Sequence, residues 1–341
     1  MTGTNPIRVG VIGVGRIGKI HAYNLMIRVP GATVAAFAAT KVSAARELAA
    51  ALNVPTVVED YTVLLRDPTI DAIAICSSTD THAGLIVESA AAGKQIFCEK
   101  PIDYDLDRID RALEAVAKAG VKLQVGFNRR FDPNFRAVRH AVSEGRIGDP
   151  HILRITSRDP VPPPISYIQV SGGIFFDMTI HDFDMARYLM GCEVEEVYVA
   201  GASLVDPRIA EAGDVDTAVI TLRFANGAIG SIDNSRQAVY GYDQRVEVFG
   251  SGGMAAVTNC TPDTLTLSNS ESVQSAKPLY FFLERYAESY IAEMQAFIAS
   301  VRQDTPPLVG GDDGRMAVVI GMAAWKSYRE QRPVKLSEIR S

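Results

Sequence analysis

The chain has 341 residues, enough for two domains of ordinary size with a substantial core. Hydrophobic residues make up 47% and charged residues 22%, the balance of a soluble globular protein. A net charge of −6 without any basic run argues against nucleic acid or an anionic membrane as partner.

The N-terminal residues lack the charged segment, apolar stretch and cleavage site of a signal peptide. No uncharged apolar run approaches the roughly 18 residues that a membrane span requires. The four cysteines, Cys76, Cys98, Cys192 and Cys260, have no close pairing. They fit reduced thiols better than a disulfide framework or a zinc site, and a cytoplasmic location is expected.

Residues 7–12 form a β-rich run, and Gly13-Val-Gly15-Arg16-Ile17-Gly18 follows at once, opening a helical stretch over 17–29. Strand, GxGxxG and helix in that order constitute a dinucleotide-binding fingerprint. Gly13 suits the tight turn, Gly15 lets the backbone approach a pyrophosphate, and Gly18 permits close helix–strand packing. The helix N-terminus offers free N–H groups to phosphate. The alternation continues with strands predicted at 33–38, 71–76, 95–98 and 121–126, and helices at 42–52, 81–92 and 106–119. This pattern predicts a parallel sheet covered on both faces, with ligands beyond the carboxyl ends of its strands. The candidate cofactor contacts are therefore Gly13, Gly15, Arg16, Ile17 and Gly18; Ala39, Thr40 and Lys41; Ser77, Ser78, Thr79 and His82; and Glu99 and Lys100.

An acidic residue at the end of the second strand would hold the adenosine ribose of NAD. The chain has Ala38-Ala39-Thr40-Lys41 there, which removes repulsion against a 2′-phosphate. Lys41 and Arg16 supply positive charge, so acceptance of NADP is expected as well as NAD. Glu99-Lys100-Pro101 ends the strand at 95–98, where a lysine can donate to a substrate hydroxyl and lower its pKa.

Beyond residue 126 the pattern changes. A helix at 133–144 precedes strands at 152–157, 194–203, 215–224, 228–234, 245–249, 254–258 and 264–268, and long helices at 283–302 and 314–331 close the chain. Successive strands without intervening helices predict an α+β domain with an open, mainly antiparallel sheet. The expected division is a nucleotide-binding α/β Rossmann domain over 1–126 and an α+β domain over 127–341, with the helix at 314–331 able to pack back on the first. Between these strands, Asp177, His181 and Asp184 are spaced to share one face of a helix beginning at Asp177. A carboxylate one turn from an imidazole orients it for proton transfer. The competing interpretations are a helix-capping Asp177 with a core His181, and a metal site on Asp177, His181 and Asp184.

GVIGVGRIG, Glu99-Lys100-Pro101, the segment from Val125 to Phe131 and the Asp177…His181 stretch occur in that order. Together they resemble the Gfo/Idh/MocA family of sugar and polyol dehydrogenases, and Gly172–Tyr188 is similar to its inositol dehydrogenase branch. The resemblance implies an NAD(P)-dependent oxidoreductase in which Lys100, Asp177 and His181 are catalytic. His181 would take the hydroxyl proton as hydride leaves, Asp177 would orient it, and Lys100 would stabilise alkoxide character. Lys100, Asp177 and His181 would also touch substrate, together with Asn128, Arg129, Ser157, Arg158, Asp159 and Tyr242. The implied substrate is a cyclic polyol, myo-inositol first, oxidised to 2-keto-myo-inositol; scyllo-inositol or an aldose is the alternative. The resemblance also implies that the second domain, 127–341, binds substrate and serves oligomerisation, as a homotetramer. A non-catalytic NAD(P)-binding regulator on the same fold is the other class, against which the retained Lys100, Asp177 and His181 argue.

Overall fold

The computed structural model describes residues 5–340. The strands β1 (Ile7–Ile12), β2 (Ala32–Ala38), β3 (Thr56–Val58), β4 (Ala72–Ile75), β5 (Gln95–Glu99) and β6 (Leu123–Gly126) form one sheet. Their order is β3-β2-β1-β4-β5-β6 and each neighbouring pair is parallel. The direction of winding reverses between β1 and β4, which opens a crevice at the carboxyl ends of those two strands. All four residues of β4 are buried, as expected for a strand covered on both faces. The helix Leu106–Ala119 shows how the covering layer is specified locally. The Asp105 carboxylate accepts from the Arg108 N–H at its start, Gly120 ends it at φ 66°, and Leu106, Ile109 and Ala112 form its buried stripe.

The second sheet contains β7 (Pro150–Arg158), β8 (Val194–Ala202), β9 (Thr217–Phe224), β10 (Ile229–Ser235), β11 (Asp243–Gly250) and β12 (Gly253–Val257). A separate hairpin pairs β13 (Thr266–Ser268) with β14 (Val273–Ser275), and β15 (Val334–Lys335) completes the second sheet at its edge. The order is β12-β11-β7-β10-β9-β8-β15. It is antiparallel except where β10 runs parallel to β7. Alternation sends Leu153, Ile155 and Ser157 to the buried face of β7, against which the helix Ile180–Met190 packs. The opposite face exposes Tyr198, Val219, Ile229, Phe249 and Met254.

Contacts divide the chain into two compact units. One takes the chain through Phe131 together with Glu288–Val318, and the other takes Asp132–Ala287 and Val319–Arg340. This differs from the single cut between residues 126 and 127 read from sequence. The physical reason is the apolar face of the helix Ala287–Gln303, whose Met294, Phe297 and Ile298 share one core with Val9, Val11, Phe37 and Phe97. The helix Gly311–Glu330 changes unit partway along. A Cβ on its Gly314 would lie 2.6 Å from Ile102, so the glycine admits close packing in the first unit. Its Trp325 stacks edge-on against Phe175 at 4.8 Å in the second. No helix among the described residues is long and apolar enough to cross a membrane.

Because Phe297 is fully buried in the core of the first unit, Phe297→Ala is expected to destabilise the protein by about 3–5 kcal/mol. Urea denaturation of parent and variant measures this directly, and a loss well under 1 kcal/mol would show that residues 288–318 are not part of that core.

Candidate active site

The turn after β1 is shaped by two close approaches. Gly13 has φ 90°, and a Cβ there would lie 2.5 Å from the Ser77 amide nitrogen. A Cβ on Gly18 would overlap the Gly13 carbonyl oxygen, whereas one on Gly15 would meet nothing within 4 Å. Gly15 is also the N-cap of the helix Arg16–Tyr23 and lends it no side-chain cap. A turn pressed against β4, an open position at its apex and uncapped helix N–H groups are the features a pyrophosphate requires, so these residues fit a dinucleotide. Arg16, Thr40 and Lys41 are exposed, while Ile17 and Ala39 are half-buried.

After β4, the Ser77 and Thr81 hydroxyls lie 2.7 Å apart, and Ser78 precedes the helix Thr79–Ala91 as its N-cap. His82 is buried, with its Nδ1 2.8 Å from the Pro101 carbonyl oxygen and its Nε2 3.1 Å from that of Ser77. It thereby ties the loop after β4 to the loop after β5. Lys100 stands in the latter, half-buried, and the Lys100–Pro101 peptide is cis. The preceding Glu99 carboxylate lies 2.6 Å from His21 Nε2. Asn128 and Arg129 are buried in a short 3₁₀ turn, and Asn128 Nδ2 has no hydrogen-bond partner among the described residues.

In the second unit, Asp177 closes the short helix Ile174–Asp177, and the next helix, Ile180–Met190, begins after Met178 and Thr179. Asp177, His181 and Asp184 therefore do not share one continuous helix, contrary to the sequence reading. A buried polar network accounts for the break. Thr179 Oγ1 donates to Asn234 Oδ1 at 2.6 Å, and Asn234 Nδ2 donates to Asp182 Oδ2 at 2.9 Å and to the Ser157 carbonyl at 3.2 Å. These bonds fasten the start of the second helix to β7 and β10, which fixes the half-buried His181 in place.

The Asp177 carboxylate accepts from the Tyr167 hydroxyl at 2.8 Å and from Arg236 Nη1 at 2.8 Å. Arg236 is only 2% exposed; its Nη1 also lies 3.6 Å from Asp159, and its Nη2 lies 4.0 Å from Asp214. Burial opposes the guanidinium charge, but Asp177 and Asp159 more than offset it and raise the Arg236 pKa. Burial likewise raises the Asp214 carboxyl, despite the N–H of Ile174 donating to it at 2.9 Å. The result is one cation among three carboxylates, which fixes Asp177 as an oriented acceptor.

Of the neighbouring candidates on β7, Ser157 and Arg158 diverge. Ser157 is buried and donates to Gln244 at 3.2 Å, whereas Arg158 projects from the opposite face of β7 to Asp233 at 2.6 Å and to the Tyr240 hydroxyl at 3.2 Å. Alternation along the strand dictates that separation. Tyr242 is buried, edge-on to Phe281 at 6.3 Å and to Tyr286 at 6.0 Å. Arg236, Tyr167, Asp214 and Asn234 escaped the sequence reading. The one available signal was a lone arginine after the alternating run of β10, which by itself reads as a surface charge.

The comparisons with known proteins agree with this architecture. Residues 7–127 match the family described as an oxidoreductase family with an NAD-binding Rossmann fold, and residues 135–256 match the GFO/IDH/MocA C-terminal domain. A myo-inositol 2-dehydrogenase of Thermotoga maritima is 53% identical over 98% of this chain and 99% of its own. The crystal structure of a myo-inositol dehydrogenase from Corynebacterium glutamicum superposes with TM-score 0.91 at 39% identity, covering 97% of this chain and 99% of its own. That of a scyllo-inositol dehydrogenase from Lactobacillus casei, with bound NAD(H) and scyllo-inositol, gives TM-score 0.92 at 28% identity, covering 98% and 100%.

Replacing Arg236 by methionine would leave three carboxylates facing one another. Arg236→Met is expected to cost about 3–5 kcal/mol at neutral pH. The loss should shrink in mildly acid buffer, where protonation relieves the repulsion. Denaturant titrations at both pH values test this; an equal loss at each would contradict the charge argument.

Proposed function

Because the chain belongs to the Gfo/Idh/MocA oxidoreductase family, we propose that it oxidises a secondary hydroxyl of a cyclic polyol, myo-inositol first, with NAD(P) as acceptor. The product would be 2-keto-myo-inositol. The observation that carries the substrate is the 53% identity, along nearly the whole of both chains, to the myo-inositol 2-dehydrogenase. Similarity to the scyllo-inositol enzyme supports a second reading, oxidation of scyllo-inositol or an aldose at the same site.

The turn Gly13–Gly18 and the helix behind it would hold the pyrophosphate, and the loops carrying Ala39, Ser77, Ser78, Thr79 and Glu99 would flank the rest of the cofactor. When bound, the nicotinamide ring supplies the hydride acceptor. His181 takes the proton of the substrate hydroxyl. Lys100 donates to the same oxygen and stabilises its developing negative charge. Asp177, held by Tyr167 and Arg236, supports the positive charge that builds on His181. Asn128, Arg129, Ser157, Asp159 and Tyr242 are assigned to recognition of the other hydroxyls, whereas Arg158, turned to Asp233 and Tyr240 on the opposite face of β7, is set aside. A site of paired polar groups rejects analogues that leave a group unsatisfied.

Acceptance of NADP is supported by Ala39 in place of an acid and by the exposed Lys41 and Arg16. The exposed apolar positions on the second sheet support a homotetramer. A cytoplasmic location fits the unpaired cysteines, of which Cys98 is buried.

Formation of reduced nicotinamide, followed by absorbance with myo-inositol, scyllo-inositol and glucose against each cofactor, tests the reading. Turnover of myo-inositol is expected, with measurable activity on NADP. No turnover of any polyol or aldose would favour a non-catalytic role. His181→Ala is expected to lower kcat by about a hundredfold or more, and near-parent turnover would remove it from the mechanism. Lys41→Glu should depress kcat/KM for NADP more than for NAD; an equal effect on both would end the cofactor argument.

A further inference from the structure

We propose that His21 is a positioning residue for Lys100, acting through Glu99, with Glu293 buried behind the pair. This rests on the role of Lys100 proposed above. His21 lies on the helix that opens at the dinucleotide turn, and Glu99 is the last residue of β5, immediately before Lys100. Their side chains meet at 2.6 Å, a short contact between an imidazole and a carboxylate. Gly126 on β6 leaves the space that the Glu99 carboxyl occupies, since a Cβ there would lie 3.1 Å from its carboxyl carbon. On the other side of the lysine, the Pro101 carbonyl is held by His82 at 2.8 Å. Lys100 is thus bracketed by two residues, each gripped by a buried histidine from a different helix.

Glu293, on the helix Ala287–Gln303, explains the charge of the cluster. It is fully buried, and neither carboxylate oxygen has a hydrogen-bond partner among the described residues. One of its oxygens, a Glu99 oxygen and a His21 nitrogen all lie within 4.8 Å of one another. Two carboxylates at such range in an apolar setting do not both ionise. Burial first, then the Glu99 charge, pushes the Glu293 carboxyl well above the usual range, so the proton rests on Glu293. The other titratable groups facing the cluster do not compete for that role. Burial raises the Cys76 and Cys98 thiols well above their ordinary range, and the Tyr290 ring meets His21 edge-on at 5.7 Å. His21 thereby links the element that would carry the cofactor phosphates to the strand end that carries the proposed hydroxyl donor.

Steady-state kinetics on myo-inositol and NAD provide the test. His21→Leu is expected to lower kcat by about tenfold, with both KM values within about threefold of the parent, and His21→Gln, which keeps an N–H for Glu99, to recover most of the loss. Should His21→Leu fail to fold, the near-isosteric Glu99→Gln removes the charge and is expected to show the same kcat defect. Lys100→Met separates the two claims. If it retains parent turnover, the proposed role of Lys100 has failed; if it abolishes turnover while His21→Leu and Glu99→Gln do not reduce it, positioning alone has failed.

Glu293 has its own readout. A carboxyl whose folded-state pKa is raised contributes stability at low pH that is lost as pH rises through that value. The parent's melting temperature should therefore fall more steeply than that of Glu293→Gln as pH rises from the ordinary carboxyl range towards the raised value. Identical pH profiles, or a stoichiometric divalent metal in the purified protein, would overturn the neutral-acid assignment.

Discussion

The nucleotide unit depends on one close approach. The turn after β1 is pressed so tightly against the end of β4 that a Cβ on Gly13 would lie 2.5 Å from the Ser77 nitrogen. The approach occurs at the two strands between which the sheet reverses its winding, so the turn, the uncapped helix start and the loop after β4 border one crevice. A side chain at Gly13 would force these elements apart. The steric constraint, rather than any polar contact, is what makes this end of the sheet a platform for a phosphate-bearing ligand.

The second unit solves a different problem. It holds a carboxylate, Asp177, and an imidazole, His181, at fixed positions. It does so by burying polarity: Arg236 anchors Asp177 from below, while Asn234 anchors the helix of His181 through Thr179 and Asp182. Such a network is stable only when its members are satisfied together, so loss of one partner is felt by the others. The strands supply the rigidity, because Ser157 and Asn234 lie opposite each other on the parallel pair β7 and β10.

The parts legible in the sequence were those with local determinants. GxGxxG specifies a turn within six residues, strand–helix alternation declares a parallel sheet, and Glu99-Lys100-Pro101 marks a strand end. The parts that were not legible are set by residues far apart in the chain. The break between Asp177 and His181 depends on Asn234, 55 residues beyond Thr179, whereas helical spacing alone suggests one continuous face. For Arg236, a sequence shows the charge but not the three carboxylates that surround it. The long helix expected over 283–302 did not show which core it would enter. Periodicity identifies a face and says nothing about its partner.

In the proposed reaction, hydride leaves a polyol carbon for a nicotinamide while the protein handles only the proton. The most direct measurement is isotopic: myo-inositol deuterated at C2 is turned over with NAD, and the reduced nucleotide is analysed by NMR. Deuterium at the nicotinamide C4 is expected, with a slower reaction than for unlabelled substrate when chemistry limits the rate. Reduced nucleotide without the label, or none at all from any inositol, would contradict it.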